Sequence, residues 1–431
     1  MKFTTIRQLS LATAVGITVS FLTTGEAQAY TFTKIADTST TIPDSTGVIQ
    51  QFGIPALNNG GTVAFWVAIQ DSLDTMPWFP NERIFTGSGQ SLTSIAKSRS
   101  SASFGFDSRV FINDEDTVAF YGVDGPKILP YGVLFISSGG SLSESGGGGF
   151  YGEGGLDGIN NQGKIVSEYV YPRFKTLNIG NREIESSIDY PDLFPYTPFS
   201  DVDGAAIDDR DNVVFRGSLR EGGSGIFVAC DGSLFTISNL CQNRLKYGYQ
   251  SDDYNCPGDS RCHNIIATII DSSGPFKSFG NPDINNRDTV AFSAELDGGG
   301  GGIFTIKDGK ISIIIDSSSP LWGGGSLAIN DLGTVAFTGA FGIFTGLDPV
   351  ADKVISLGDI LFGYSVTAID FGRDGFNNMG QIAFRAKLAD GTQGIYRADP
   401  DPEPPKSVPE STSVLGLFTV GALALAKRRK S

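Results

Sequence analysis

The sequence predicts an all-β fold, a closed seven-bladed β-propeller of four-stranded blades, from three observations. A short unit made of a polar pair, a free position, a Gly or Asp and a Val-Ala-Phe-like run recurs seven times. The last unit lacks a fourth strand, and the mature chain begins with a strand that has no unit of its own. The 431 residues include 56 Gly and 31 Phe and show no long helical periodicity before the C-terminus, as expected of a loop-rich β protein.

The clearest copy of the unit ends in Thr334-Val335-Ala336-Phe337 and is followed by Gly342-Ile343-Phe344. The polar pair and glycine are typical of a tight turn, and the apolar run is typical of a buried strand. The seven polar pairs are Asn58-Asn59, Asn113-Asp114, Asn160-Asn161, Asp208-Asp209, Asn285-Asn286, Asn330-Asp331 and Asn377-Asn378. Successive pairs are 55, 47, 48, 77, 45 and 47 residues apart, which is in the range of a supersecondary repeat. The spacing of 77 is the exception and predicts an insertion of about thirty residues in the fourth interval.

The polar pair predicts the same turn in every repeat. Asn or Asp at the first position of a type I turn accepts a hydrogen bond from the chain ahead, and the fourth position then takes a left-handed conformation. Glycine suits this position, and aspartate tolerates it at modest cost. The residues at the fourth position are Gly61, Asp116, Gly163, Asp211, Asp288, Gly333 and Gly380.

The fifth repeat shows four predicted strands, with A ending at Asp283-Ile284 and B, C and D covering 289–294, 302–306 and 310–315. The last repeat has B at 381–388 and C at 394–397, but no D. The mature N-terminus, 31–36, resembles strand D of the first repeat. In a closed ring, this strand supplies the strand D that the seventh sheet lacks, so both ends of the repeat array are paired. An open solenoid would leave both ends unpaired.

A β-sandwich pair or a β-solenoid is the alternative architecture. The Val-Ala-Phe runs favour the propeller because they predict burial on both faces of each sheet, as expected of blades packed between neighbours. The third repeat is degenerate. No Gly-Ile-Phe follows its strand B, and 169–199 has no regular pattern.

The N-terminal residues 1–29 have the pattern of a secretory signal peptide. Lys2 and Arg7 precede an apolar run at 9–22, and Ala27-Gln28-Ala29 is a small-x-small cleavage site before Tyr30. A transmembrane anchor is the alternative, but the run is short. We therefore expect an exported protein whose propeller covers 30–398.

All four cysteines lie in the long fourth interval, at Cys230, Cys241, Cys256 and Cys262. In an exported chain they predict two disulfides in an insertion at about 230–264, which can pair in three ways. Zinc binding centred on Cys262-His263 is the alternative, but no Cys-x-x-Cys spacing accompanies it. His263 is the only histidine and lies away from the recurring strand ends, so no Ser-His-acid triad is indicated.

The chain carries a formal net charge of −15, which makes nucleic acid and anionic lipid improbable partners. Clustered acidic turns suggest calcium as a candidate ligand, with Asp201, Asp203, Asp208 and Asp209 as the candidate oxygen donors. The spacing of a complete calcium loop is absent, so ordinary turns explain these residues as well. No other cofactor and no catalytic residue is predicted.

The C-terminus has the physical form of a sorting signal. A proline-rich linker at 399–409 leads to Val408-Pro409-Glu410-Ser411, a short apolar segment at 413–426 and the basic cluster Lys427-Arg428-Arg429-Lys430. As a helix the apolar segment would span roughly 21 Å, which is short of a hydrocarbon core of about 30 Å. The basic cluster should remain on the cytoplasmic side.

The segment at 408–431 resembles the PEP-CTERM sorting signal, which implies processing by an exosortase-type membrane enzyme after transient insertion of the tail. Ser411 stands where the family has its second proline. The repeat body at 30–397 is similar to tandem Asn-x-x-Gly-x-x-x-x-Phe repeat proteins that carry such tails. That resemblance implies an exopolysaccharide or biofilm setting and no catalytic residues.

Two classes of function follow. The preferred one is a non-enzymatic module of the cell envelope, cell surface or extracellular matrix that binds or scaffolds glycans or proteins. The alternative is a secreted lyase or hydrolase acting on polysaccharides, with its site at one mouth of the propeller.

Overall fold

The computed structural model describes residues 30–43, 45–70, 81–98, 105–124, 131–147, 153–170, 174–180, 182–187, 198–231 and 264–401. Within these ranges the chain forms 31 strands and no helix, and the strands make seven antiparallel sheets. The sheets are the blades of a seven-bladed β-propeller, which confirms the predicted fold class. None of the described residues belongs to a helix able to cross a membrane.

The first strand, β1 (Tyr30–Asp37), belongs to the last blade, and blades 1 to 4 follow it in chain order. Blade 1 contains β2 (Val48–Phe52), β3 (Ala56–Leu57), β4 (Val63–Gln70), β5 (Asn81–Gly87) and β6 (Leu92–Lys97). Blade 2 contains β7 (Gly105–Ile112), β8 (Val118–Asp124), β9 (Tyr131–Ser138) and β10 (Ser141–Gly147). Blade 3 contains β11 (Glu153–Ile159), β12 (Ile165–Val170), β13 (Phe174–Ile179) and β14 (Arg182–Ser187). Blade 4 contains β15 (Phe199–Ile207), β16 (Val213–Leu219), β17 (Ser224–Asp231) and β18 (Asn264–Asp271).

Blades 5 to 7 complete the ring. Blade 5 contains β19 (Phe276–Phe279), β20 (Asp283–Ile284), β21 (Val290–Leu296), β22 (Gly301–Lys307) and β23 (Lys310–Asp316). Blade 6 contains β24 (Leu327–Ile329), β25 (Val335–Thr338), β26 (Gly342–Phe344) and β27 (Lys353–Ser356). Blade 7 contains β28 (Ile360–Leu361), β29 (Tyr364–Phe376), β30 (Ile382–Leu388), β31 (Gln393–Pro400) and β1. In blades 1 and 5 the inner strand is split into two short strands that pair with the same neighbour.

The Val-Ala-Phe run explains how the blades pack. Alternate residues of a strand point to opposite faces of its sheet. In β21, Val290 and Phe292 pack against blade 4, while Ala291 packs against blade 6. The same division holds in β25, where Ala336 faces blade 7. The large side chains therefore fill one side of each blade, and the small alanine lets the next blade approach closely on the other.

The ring closes between the two ends of the chain. β1 pairs with β31 in antiparallel register, from Tyr30 opposite Pro400 to Asp37 opposite Gly394. Ala36 and Ile35 lie in the hydrophobic cluster shared by blades 7 and 1. The prediction that the N-terminal strand completes the seventh sheet is confirmed.

The predicted turn is present in all seven repeats. In six of them the backbone N–H of the fourth residue donates to the carbonyl of the first, with N···O distances from 2.9 to 3.2 Å. The fourth residue has a positive φ in every copy, including 55° at Asp116 and 61° at Asp211 and Asp288. Three aspartates therefore adopt the left-handed conformation that glycine adopts in the other four turns.

The second residues of the polar pairs form a closed hydrogen-bonded ring, which we call the polar ring. In each blade the backbone N–H of this residue donates to the Oδ1 atom of its counterpart in the next blade, at 2.7 to 2.9 Å. The Oδ2 atom of each aspartate also accepts from the side-chain amides of both neighbours. The members in order are Asn59, Asp114, Asn161, Asp209, Asn286, Asp331 and Asn378.

A second set of inter-blade bonds comes from the first residues of the pairs. The Nδ2 atom of Asn58 donates to the Asn113 carbonyl at 3.1 Å, and five other copies repeat this bond, ending with Asn377 bonding back to Asn58. Asp208 has no such donor. Arg210 replaces the bond by pairing with Asp208 at 3.0 Å and with Asp288 of blade 5 at 2.8 Å.

One prediction about the third repeat is wrong. The segment 169–199 was expected to be irregular, but β13 and β14 lie within it and complete a regular blade. Leu177, Ile179 and Ile184 are buried and supply the apolar contacts that Gly-Ile-Phe supplies elsewhere. Cys230 lies in β17, and the other three cysteines come between β17 and β18 in the sequence, outside the described residues.

We predict that introducing a charge on the inward face of β1 will open the ring. Ala36 is 1% exposed, so Ala36→Asp places a carboxylate between blades 7 and 1 without a partner and should lower the free energy of unfolding by more than about 3 kcal/mol. Thr31→Asp, on an exposed position of the same strand, should change it by less than about 1 kcal/mol. Urea unfolding of both variants measures this, and equal stabilities would contradict closure through β1.

Candidate functional site

The inner strands surround a cavity of about 670 Å³ on the propeller axis, which we call the axial cavity. Residues from all seven blades line it. A smaller pocket of about 170 Å³ lies at the polar turns and is lined by the polar ring. Concave sites of several hundred Å³ are typical of small-ligand binding. The axial cavity is therefore the candidate site.

One position of the repeat lines the axial cavity in every blade. It lies four residues before the polar pair, and its occupants differ widely in size and chemistry: Ile54, Arg109, Leu156, Gly204, Asn281, Ser326 and Arg373. The residue directly before the pair is, by contrast, always apolar and large: Leu57, Ile112, Ile159, Ile207, Ile284, Ile329 and Phe376. The repeats thus keep the packing residue and diverge at the residue that faces the axis.

The inner strands lose regular pairing at this same level. Register shifts interrupt β7 between Phe106 and Val110, β11 between Leu156 and Gly158, and β29 between Phe371 and Phe376. Such bulges redirect side chains and are frequent beside functional sites. Here the bulged segments contain Arg109, Asp157 and Arg373, so the irregular backbone brings charged groups to the axis.

Several polar side chains in the axial cavity are open to a ligand. Asn281 and Ser326 are exposed, and their side chains make no hydrogen bond to any residue that the structure describes. Half of the Arg109 side chain is exposed, although it also pairs with Asp107 at 3.1 Å. A Cβ on Gly204 would lie 2.2 Å from the Asn281 side chain, so this glycine gives Asn281 its space.

Arg373 crosses the axis and closes one end of the axial cavity. Its guanidinium belongs to blade 7 and donates to the backbone carbonyls of Asp157 in blade 3 and Pro282 in blade 5, the latter at 3.5 Å. Blade 3 lies almost opposite blade 7 in a ring of seven. The axial cavity and the pocket at the polar turns share only Arg373 and Asp374 in their linings. The axis is therefore blocked between them.

Three carboxyl groups surround Arg373 in a region of low solvent access. Burial raises the pKa of Asp157 to about 7, against the attraction of Arg373, and raises that of Asp283 to about 7 in the same way. The Oδ2 atom of Asp157 is buried without a hydrogen-bond partner among the described residues. The pKa of Asp374 is also raised by burial, although 39% of its side chain faces the open cavity.

The structure does not gather the four predicted calcium ligands into one site. Asp201 pairs with Lys175 at 3.2 Å, and Asp203 pairs with Arg216. Asp208 bonds to Arg210 and Asn212, and the Asp209 carboxylate belongs to the polar ring. Among the described residues, no three His, Cys, Asp or Glu side chains are grouped so that they could hold a metal ion.

Other residues singled out from the sequence lie at the edge of the described ranges or beyond them. Cys230, at the end of β17, is in a disulfide. Tyr30, the residue after the predicted cleavage site, is the first residue of β1. The predicted features outside the described residues are the other cysteines (Cys241, Cys256 and Cys262), the cleavage-site alanines (Ala27 and Ala29), and the sorting motif and basic cluster (Val408, Pro409, Glu410, Ser411, Lys427, Arg428, Arg429 and Lys430).

None of the residues that line the axial cavity was among the site residues predicted from the sequence. The signal that could have found them is the alignment of the seven repeats on their polar pairs. In that alignment, the position four residues upstream bears arginine in two repeats and differs in the others, while the residue directly before the pair stays apolar. The reach of Arg373 across the axis has no counterpart in the sequence pattern.

No family model and no curated protein matches this chain. Among solved structures, it is similar to an oligogalacturonate lyase from Vibrio parahaemolyticus, with 12% identity over 88% of this chain and 99% of that one and a TM-score of 0.44. It is also similar to a puromycin hydrolase (10% identity, 80% and 52% coverage, TM-score 0.43) and to Trypanosoma rangeli sialidase (11%, 86% and 60%, 0.31). Likenesses this distant say nothing about the activity of this chain.

We predict that the buried acids make stability fall as pH rises. The pKa of Asp157 is about 7 in the folded state and near its usual 3.8 in the unfolded state, so the folded state binds more protons between these values. Between these two pKa values Asp157 ionises in the unfolded state and stays protonated in the folded state. The free energy of unfolding should therefore fall by up to about 4 kcal/mol as the pH rises through this window.

Asp157→Asn removes this ionisation, so its stability should fall less than that of the unmodified protein between about pH 4 and pH 8. The fall that remains belongs to other buried acids such as Asp283. Urea unfolding at a series of pH values measures the difference, with Asp297→Asn, on an exposed loop, as the matched control. Parallel pH profiles for the variant and the unmodified protein would contradict the proposed burial of Asp157.

Proposed function

We propose that this protein is exported and works at the cell surface or in the extracellular matrix as a non-enzymatic propeller whose axial cavity binds a glycan. The main support is the position four residues before the polar pair, because its residue type differs between the repeats and its side chains line the axial cavity. A position that is not held to one residue type is free to serve a ligand, and in this ring it bears arginine, asparagine and serine side chains. These groups donate and accept hydrogen bonds in the manner that sugar hydroxyls require.

The shape of the site favours a glycan over a folded protein as the ligand of the cavity. Specific protein interfaces are broad surfaces that bury about 800 Å² on each partner. The axial cavity is instead a concave site of about 670 Å³ enclosed by seven blades. A chain of small polar units can enter such a site.

Export is proposed from the two ends of the sequence. The first strand begins at Tyr30, directly after the predicted cleavage site, so a mature chain starting there retains all of β1. The tail at 408–431 is proposed to insert transiently in the membrane and to be processed by an exosortase-type enzyme. Release or anchoring by that route would place the propeller in an exopolysaccharide or biofilm setting.

A polysaccharide lyase or hydrolase is the second candidate, and one observation favours it. Asp157 lines the axial cavity with a pKa near 7, which is the range that a general acid or base needs at neutral pH. Asp374 and Asp370 line the same cavity. Asp370 is engaged by Arg385 at 2.7 Å, however, and Asp157 is buried, with its backbone carbonyl bound by the Arg373 guanidinium.

We predict that the full chain binds glycans without cleaving them. On a glycan array, Arg109→Ala should weaken binding by about tenfold or more, because it removes a half-exposed guanidinium from the cavity. Lys310→Ala, on an exposed outer strand, should leave binding unchanged. Release of sugar products from any bound glycan would establish the enzyme instead, and unchanged binding by Arg109→Ala would exclude the axial cavity as the site.

We also predict that the exported protein begins at Tyr30. N-terminal sequencing or mass spectrometry of the secreted form should find this residue first, and Ala29→Asp should block cleavage because a small residue is required before the cleaved bond. Replacing Glu26 by Gln, further from the bond, serves as the control. A mature N-terminus beyond Asp37 would remove β1 and contradict the proposed closure in the exported form.

A further inference from the structure

Whether a polymer threads through the ring or enters from one side depends on Arg373. The guanidinium bonds to blades 3 and 5 across the axis, and the two axial pockets meet only at Arg373 and its neighbour. On the far side of Arg373, the narrow pocket is lined by the polar ring, so the only group that crosses the axis between the two pockets is Arg373 among the described residues. The axial cavity is thus a blind site.

The walls of this blind site are divided between polar and apolar sectors. Asn281, Ser326 and Arg109 present polar groups from blades 5, 6 and 2. Ile54 of blade 1 is partly exposed and brings aliphatic surface to the lining, whereas Leu156 of blade 3 is buried behind it. A sugar ring has hydroxyl groups at its edge and C–H groups on its faces, so it matches a cavity with both kinds of wall.

We propose that the axial cavity recognises the end of a saccharide chain, with the terminal sugar hydrogen-bonded by Asn281 and Ser326 and the rest of the chain leading outward. This inference rests on the proposed glycan-binding function. A blind site admits the first units of a polymer and excludes its interior, because an internal segment would need an exit on the other side of Arg373.

The test counts chain ends at constant mass. The probe is the exopolysaccharide purified from the producing organism, immobilised either intact or after partial acid hydrolysis to about one tenth of its chain length. Hydrolysis multiplies the ends and leaves the composition unchanged. Binding capacity per unit mass for the full-length protein should therefore rise about tenfold on the fragments. Equal or lower capacity on the fragments would overturn end recognition while leaving glycan binding in place.

Absence of binding to both forms of this polysaccharide and to a glycan array would instead overturn the proposed function itself. Borohydride reduction of the fragments opens the sugar ring at the reducing end and identifies which end is bound. Loss of binding assigns the reducing end, and retention assigns the non-reducing end. Either result supports recognition of a terminus, provided that the capacity rises with fragmentation.

Variants separate a binding role from a structural one. Asn281→Ala and Ser326→Ala remove exposed side chains without hydrogen-bond partners among the described residues, so the fold should be retained. Each should weaken binding to the fragments about tenfold, and the double variant more. Ser94→Ala, on an exposed outer strand, is the matched control. Undiminished binding by the double variant, with unchanged thermal unfolding, would refute the assignment.

Discussion

The hydrogen-bonded ring of paired polar residues is the constraint on which the rest of this structure depends. Each turn is tied to the next by a backbone donor on a side-chain oxygen, and the last turn is tied back to the first at 2.7 Å. Such bonds contribute about 1 kcal/mol each, but they are made together and at one distance from the axis. These hydrogen bonds fix the angle between successive blades. The Val and Phe side chains fill the space between one blade and the next.

The ring alternates amides and carboxylates, and an odd number of blades cannot alternate completely. Asp114, Asp209 and Asp331 each accept from an amide on either side, so no two carboxylates are adjacent. The unavoidable like pair is Asn378 beside Asn59. Two amides can hydrogen-bond to each other without a net charge, whereas two carboxylates would repel, so the mismatch falls on the pair that tolerates it.

The fold could be predicted from the sequence because its repeating parts are local. About ten consecutive residues are enough to recognise the turn and the buried strand of a repeat, from the polar pair, the left-handed residue and the apolar run. Blade 3 was misjudged because Leu177 and Ile179 replace the Gly-Ile-Phe signature while packing in the same way. The partners of the candidate calcium donors Asp208 and Asp209 could not be predicted, because a sequence does not show that Asn212, Arg210 and the amides of neighbouring blades lie beside them.

Closure by β1 also sets an order of events in synthesis. The strand that leaves the ribosome first is paired in the finished molecule with β31, more than 360 residues later. Blades 1 to 6 can form as they emerge, since each contains its own strands, but the circle stays open until almost the whole chain is available. For a chain that crosses a membrane as a thread, the ring can be completed only after the last blade has arrived on the far side.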